Sequence, residues 1–376
     1  MKVQAMRRLC VIATMSALSV SAVAQDIVIG QTLPLSGSST TIAQDLLRGR
    51  QACVDFVNAQ GGIRGRSLKL VTRDDHGDAA HAVSAVREML QHERAVVMLG
   101  SMGPAVNSAL LEWARATGVA VIGPYGGDIE VRMRDVGTAF FLTANQSAEA
   151  ERLGAHIATL GLSRVVIVHA PDRAGIAALT ALEEGLGVSN VAAAAVLAVR
   201  ADGGDAADVA KAVAAANPQA VLLATSGETT LAMLKALASM QGASTQLLQV
   251  YGLSSAASQT ELFGLGARAR GFSMSQVLPL PRDARVPLVA TFLAAMRNAP
   301  NERTYAELEG CVGPLLLAEV LRRKPADLTR IGVLQALKGA GRVNLGGFEI
   351  DLSDRTRTGS RFTDIVFVGA NGRLLR

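Results

Sequence analysis

Aromatic residues make up only 3% of this sequence, and there is a single tryptophan. Platforms for stacking nucleobases are therefore scarce, and nucleic acid is not an expected partner. Cysteines number three, with no CxxC pair. The five histidines, His76, His81, His92, His156 and His169, include no HExxH and form no recognisable ligand set. No GxSxG nucleophile elbow occurs. No apolar run reaches the roughly 18–20 residues that a bilayer span requires. Neither metal nor cofactor is expected.

What is present begins at the N-terminus. Lys2, Arg7 and Arg8 precede an apolar segment from Leu9 to Val20, and Ala22-Val23-Ala24 follows. That pattern reads as a signal peptide over 1–24, cut before Gln25. Cys10 opens the apolar segment, so it is no lipid attachment site. Loss of this segment takes three basic residues and no acidic one from the formal charge of +5. Cys53 and Cys311 remain, each in a helical pattern among apolar neighbours. Export permits a disulfide between them, and burial as two separate small apolar side chains is the other reading; spacing alone does not bring them together.

The stretch from Ala95 to Gly103, AVVMLGSMG, is the most suggestive of the chain. A buried strand runs into a small-residue loop, and Pro104 opens a helix. This order aims free main-chain N–H groups and the Ser101 hydroxyl out of the carboxyl end of the strand, where a carboxylate would be held. Taken alone, an ordinary strand–helix turn with Ser101 as N-cap is the favoured explanation, since every α/β protein contains several. Around it, strand and helix alternate. Predicted strands are Asp26–Leu35, Ser67–Thr72, Ala95–Leu99 and Val119–Gly123, and after a short strand at Thr138–Thr143 a second series opens. Its strands are Val165–His169, Val191–Val199, Ala220–Ala224, Leu247–Val250 and Ala269–Val277. Alternation of this kind calls for parallel sheets covered on both faces. Helices are then expected at Val286–Asn298, Tyr305–Arg322 and Thr329–Lys338, before terminal strands at Phe348–Leu352, Phe362–Val368 and Arg373–Leu375. The glycines of Gly264–Ala269 fit a dinucleotide pattern but stand after a helix and before a strand, so they read as a helix stop. Asp74-Asp75 reads as a strand end capping the next turn rather than a metal pair.

Several segments together carry a family resemblance: IGQTLPLSG (Ile29–Gly37), VNAQGGIRGRSLKLVTRDD (Val57–Asp75), VIGPYGG (Val121–Gly127), GLGARARGFSMSQVLPLP (Gly264–Pro281), YAELEGCV (Tyr305–Val312) and FTDIVFVGANGRLL (Phe362–Leu375). In this order they resemble the type I periplasmic solute-binding proteins of ABC transporters, in the leucine/isoleucine/valine-binding branch. The resemblance implies an α/β fold of two doubly wound parallel-sheet lobes joined by a three-strand hinge. It places residues 25–143 and 278–351 in an N-terminal lobe and 144–277 and 352–376 in a C-terminal lobe. Crossovers fall near Thr143, Val277 and Leu352.

By the same resemblance, the ligand carboxylate is held by the loops at Ser101, Met102 and Gly103 and at Tyr125, Gly126 and Gly127. The branch commonly sets an acid opposite the ligand ammonium in the loop after a second-lobe strand. Here that loop is Tyr251–Ser255, with Ser254 and Ser255 but no acid, leaving Asp172 and Glu228 as substitutes. A buried ammonium without a counter-charge is costly. Gln146 stands where an aromatic is often found, and Ile42 does the same in the first loop. The expected ligand is a small carboxylate, with amino acid and amide both open. The expected function is delivery of that ligand to an ABC permease by hinge closure. A periplasmic sensor is the alternative, and a secreted serine hydrolase using Ser101 or Ser226 a weaker one, since no histidine is placed to activate either.

Overall fold

A computed structural model describes residues 25–37, 40–126, 129–133, 137–241, 248–299, 302–323, 327–353, 358–369 and 373–376. The signal peptide expected over 1–24, Gly127 and Leu247 lie outside the described residues. The chain opens with β1 (Ile27–Leu33), α1 (Thr40–Ala59), β2 (Leu68–Asp74), α2 (Ala79–Gln91), β3 (Val97–Leu99), α3 (Pro104–Thr117), β4 (Ala120–Ile122), α4 (Ile129–Met133) and β5 (Ala139–Phe140). These five strands form one parallel sheet in the order β2-β1-β3-β4-β5.

A second series follows: α5 (Gln146–Thr159), β6 (Val165–His169), α6 (Arg173–Val188), β7 (Ala193–Ala198), α7 (Ala206–Ala215), β8 (Ala220–Ala224), α8 (Gly227–Gln241), β9 (Gln249–Gly252), α9 (Gln259–Leu265) and β10 (Phe272–Gln276). The chain then continues through α10 (Pro287–Ala295), α11 (Tyr305–Arg323), α12 (Arg330–Lys338), the antiparallel pair β11 (Arg342–Asn344) and β12 (Glu349–Asp351), and finally β13 (Asp364–Val368) and β14 (Leu374–Leu375). The second sheet runs β14-β13-β10-β9-β8-β6-β7 among the described residues, and β13 alone runs against the others, antiparallel to both β10 and β14.

Burial explains which segments became strands. The β6 and β8 strands sit inside the second sheet, and their apolar runs VVIVH and AVLLA are buried on both faces. At its edge, β7 alternates between half-buried and exposed, as a strand with one open face does. Two short elements escaped the sequence reading: α4 and β11 are too brief to show a period. Beyond α9, a 3-10 turn at Gly266–Ala269 leads into β10, the helix–turn–strand order that the glycine pattern suggested.

The helices after β10 return to the first sheet. Apolar residues of α1, α10, α11 and α12 share one core with β1, β3 and β4, while α2 and α3 cover the opposite face. Packing of α1 on α11 is very close. A β-carbon built on Gly49 would stand 1.9 Å from the Glu307 carbonyl oxygen, and one on Gly310 2.3 Å from that of Leu46. In the same contact Cys53 and Cys311 form a disulfide, with Cα atoms 5.3 Å apart. The bonded alternative is therefore the one realised.

Both sheets share a strand order in which the first strand of the series (β1 or β6) lies between the second and third. Connections leave that point in opposite directions, which opens a crevice at the carboxyl ends of the strands. Among the described residues, no helix is long and apolar enough to cross a membrane.

Candidate functional site

The loops at those strand ends meet. After β3, Gly100 must be glycine: a β-carbon there would stand 2.2 Å from the Pro124 nitrogen. That close approach lets the Tyr125 N–H donate to the Ser101 carbonyl at 2.9 Å, and Asn107 Nδ2 donate to the Tyr125 carbonyl at 3.1 Å. The β3 and β4 loops are thus one unit, tied to the start of α3.

Across from it stand the second-series loops, and between the two lies a cavity of about 230 Å³. Met102, Gly103, Asn107, Tyr125 and Gly126 line it on the first side. Gln146, Gly175, Thr225, Ser226 and Ser255 line it on the other. None of its lining residues is charged. Three helices present their N-terminal ends to this outer chamber: α3 through Gly103 and Pro104, α5 through Gln146, and α8 through Ser226, which precedes it. The first turn of a helix carries N–H groups without intrahelical acceptors and a partial positive charge. Also on the wall is α6, whose end is capped by the Asp172 carboxylate, which accepts from Gly175 N at 2.7 Å; α5 is likewise capped, by Asn145 Oδ1, which accepts from Ala148 N at 2.9 Å, whereas α3 has no side-chain cap.

A second chamber of about 90 Å³ lies toward the crossovers. Tyr125, Gly126 and Ser255 belong to both walls, so the two chambers adjoin. Its charged residues are Asp45 on α1, Glu149 on α5 and Glu309 on α11, with no lysine, arginine or histidine. One Glu149 oxygen accepts from Ser254 N at 2.8 Å and from the Ser275 hydroxyl at 2.6 Å. Burial raises the Glu149 pKa against the pull of those two donors. Glu309 is pushed up to about 7, chiefly by burial, with Arg132 and Arg50 opposing. Burial likewise raises the Tyr125 phenol, helped by the surrounding carboxylates.

Between the chambers and the first crossover, Arg132 of α4 is almost fully buried. Its guanidinium donates to the carbonyls of Gly126 at 3.0 Å, Thr143 at 2.8 Å and Ala144 at 3.1 Å, and lies over the Phe141 ring. It therefore fastens the β4 loop to the crossover strand.

Of the residues expected from sequence, Met102, Gly103, Tyr125, Gly126, Gln146 and Ser255 line the outer chamber, and Ser254 lines the inner one. Ser101 requires a correction. It is fully buried and lines neither chamber, because its hydroxyl donates to Asp75 Oδ2 at 2.8 Å. Asp172 caps α6, and Glu228 is exposed on the first turn of α8; neither reaches a chamber wall. Asp74 and Asp75 accept turn N–H groups, from His76 and Gly77 respectively, and no group placed to hold a metal ion occurs among the described residues. No histidine lines either chamber.

Sequence reasoning missed Asp45, Glu149 and Glu309. A signal existed for two of them. Glu149 shares a helical stripe with Leu153 and Ile157, and Glu309 one with Val312 and Leu316, so each puts an acid on an otherwise apolar face.

A family description, "periplasmic binding protein", matches residues 26–373. The chain belongs to the periplasmic binding protein family. Its curated relatives include an amino acid binding protein of Pseudomonas aeruginosa, 24% identical over 151 residues, which are 40% of each chain. Another is Leu/Ile/Val-binding protein homolog 3 of Brucella melitensis, 25% identical over 151 residues and again 40% of each chain. The chain thus matches about two-fifths of the length of these relatives. Among solved structures, a substrate-binding periplasmic protein from Ralstonia solanacearum is 28% identical with a TM-score of 0.81, over 93% of this chain and 99% of that one. The two-sheet architecture is that of this periplasmic binding protein neighbour.

Proposed function

We propose that this periplasmic binding protein is exported with residues 1–24 removed, binds a small carboxylate-bearing ligand in the cleft between its sheets, and hands it to the permease of an ABC importer. One observation carries the reading. The outer chamber has no charged side chain, yet the N-terminal end of α3, which has no side-chain cap, stands on its wall beside those of α5 and α8. Helix ends of this kind hold anions without a lysine or arginine. Each contributes roughly 0.3–1 kcal/mol when exposed and nearer 2 kcal/mol when partly buried. Met102 and Gly103 offer the carboxylate main-chain groups from one lobe, and Gln146, Ser226 and Ser255 close on it from the other.

Binding is then a choice between two states. A ligand that touches both lobes favours the closed form by its differential contacts alone, and the permease reads that form. The lobes, 25–143 with 278–351 and 144–277 with 352–376, move about the crossovers near Thr143, Val277 and Leu352. No covalent step is involved.

The test is small-angle scattering of the mature chain titrated with a panel of amino acids, aliphatic acids and aromatic acids. The expected result is a fall in radius of gyration that saturates with at least one of them. No compaction with any member sinks the reading.

A further inference from the structure

Among the described residues that line the outer chamber, only Gln146 has a buried side-chain polar atom left without a hydrogen-bond partner. Gln146 is the first residue of α5 and is 8% exposed. Its Oε1 accepts from nothing. Other polar side chains of that wall are engaged: Asn107 donates to the Tyr125 carbonyl, and the Thr225 and Thr230 hydroxyls bond each other at 2.7 Å. A buried acceptor without a donor bears the full cost of leaving water. Such atoms are few in folded chains, and each calls for a reason.

The surroundings of Gln146 select the kind of donor. No charged side chain lines the outer chamber, and Asp45, Glu149 and Glu309 line the adjoining one alone. An ammonium beside Gln146 would meet one neutral oxygen and no counter-charge in its own chamber, which is costly. A hydroxyl brings a donor without a charge. Its oxygen also accepts, and the exposed Ser226 and Ser255 on the same wall carry hydroxyls that can donate to it. A carboxamide would bring a second N–H and a carbonyl, and the wall holds no further buried orphan atom to match them. Across the chamber, the α3 N-terminus has no side-chain cap and is the place for the carboxylate.

We propose that Gln146 is a specificity-determining residue of the cleft: its Oε1 accepts from a hydroxyl of the ligand, and the guest is a hydroxy acid rather than an amino acid. The carboxylate then lies at the α3 end and the hydroxyl at the start of α5. This rests on the outer chamber being the ligand site. It goes beyond that reading by naming the second functional group of the ligand and the side chain that selects it.

The test is calorimetric titration of the mature chain with two matched sets: isocaproate, α-hydroxyisocaproate and leucine, and phenylacetate, mandelate and phenylglycine, with both enantiomers of each chiral member. Within a set only the α-substituent changes, from hydrogen to hydroxyl to ammonium. In at least one set the hydroxy acid is expected to bind about tenfold tighter or more than both others. Gln146→Met, close in length but without the amide, is expected to bring the hydroxy acid and the plain acid within about threefold. A merely structural role for Gln146 would weaken both alike and keep their ratio, and an unchanged ratio in folded Q146M overturns its role. Should Q146M melt early, α-fluoroisocaproate and α-fluorophenylacetate on the wild type decide the matter. Fluorine is close to hydroxyl in size and donates nothing, so each is expected to bind like its plain acid; binding like the hydroxy acid overturns the hydrogen bond. Plain acids or amino acids binding as tightly as the hydroxy acids overturn the proposal and leave the carboxylate reading standing. Compaction in scattering with some other acid, when neither hydroxy acid binds, does the same. Binding of no member of either set, with no compaction in scattering by any acid, overturns the cleft reading and the role of Gln146 together.

Discussion

Arg173 at the start of α6 reaches Glu130 on α4, with Nη2 2.5 Å from Oε2. Their neighbours Ala174 and Val131 line the outer chamber, so the pair bridges its rim from one lobe to the other. Both side chains are about half exposed, at 48% and 60%. Under the proposed hinge closure, the pair exists only while the lobes are close and so favours the closed form. Exposed pairs contribute roughly 0.2–1 kcal/mol. Arg173→Ala is expected to weaken ligand binding by about two- to fivefold at low salt, and the difference should shrink at high ionic strength. Titrations at two salt concentrations check this; a salt-independent effect would point to another cause.

The disulfide between Cys53 and Cys311 closes a long loop, with a sequence separation of 258. Its removal is expected to cost about 2–5 kcal/mol. Urea unfolding of the oxidised protein, the reduced protein and the C53A/C311A variant measures it. Reduction should shift the wild-type midpoint down and leave the double variant unmoved.

Replacing Arg132 with methionine leaves the carbonyls of Gly126, Thr143 and Ala144 without their buried donor. Removing one side of such a network costs about 3–5 kcal/mol. Arg132→Lys should recover little, because an ammonium lacks the planar fork that spans several carbonyls. Thermal melts of both variants are the check, and R132K melting with the wild type would contradict it.

Glu309 links stability to pH. Burial raises its folded pKa to about 7 from the ordinary value of 4.5. Between those values the folded chain holds a proton that the unfolded chain has lost. Its contribution to stability is thus most favourable below about pH 4.5 and declines as pH rises to about 7. Glu309→Gln removes the penalty. The ligand-free variant should be more stable than wild type at pH 8 by ~2 kcal/mol, with the gap closing under pH 5. Urea midpoints at the two pH values decide the sign.

Much of the fold was legible because burial writes a local period. The runs of β6, up to its terminal His169, and of β8 are apolar, and the strand–helix alternation carries the parallel sheets with it. The N-caps Asp78, Asp172 and Thr329 mark helix starts by the same local logic. The site was only half legible. That Met102, Gly103, Tyr125 and Gly126 stand at strand ends follows from position along the chain. That the Ser101 hydroxyl faces Asp75 does not, since its partner arrives from the end of β2, a different strand.

By itself, then, the sequence determined the two α/β series, their strand ends and the loops that meet there. Those depend on the spacing of apolar and small residues within a few turns or strands. Tertiary structure alone decided which polar groups in those loops are already engaged and which are not. It also brought Asp45, Glu149 and Glu309, from three helices far apart in the chain, to one chamber wall, and joined Cys53 to Cys311. The physical reason is range: periodicity is a property of neighbours, whereas a hydrogen-bond partner, a counter-charge or a disulfide is settled only when distant segments pack against each other.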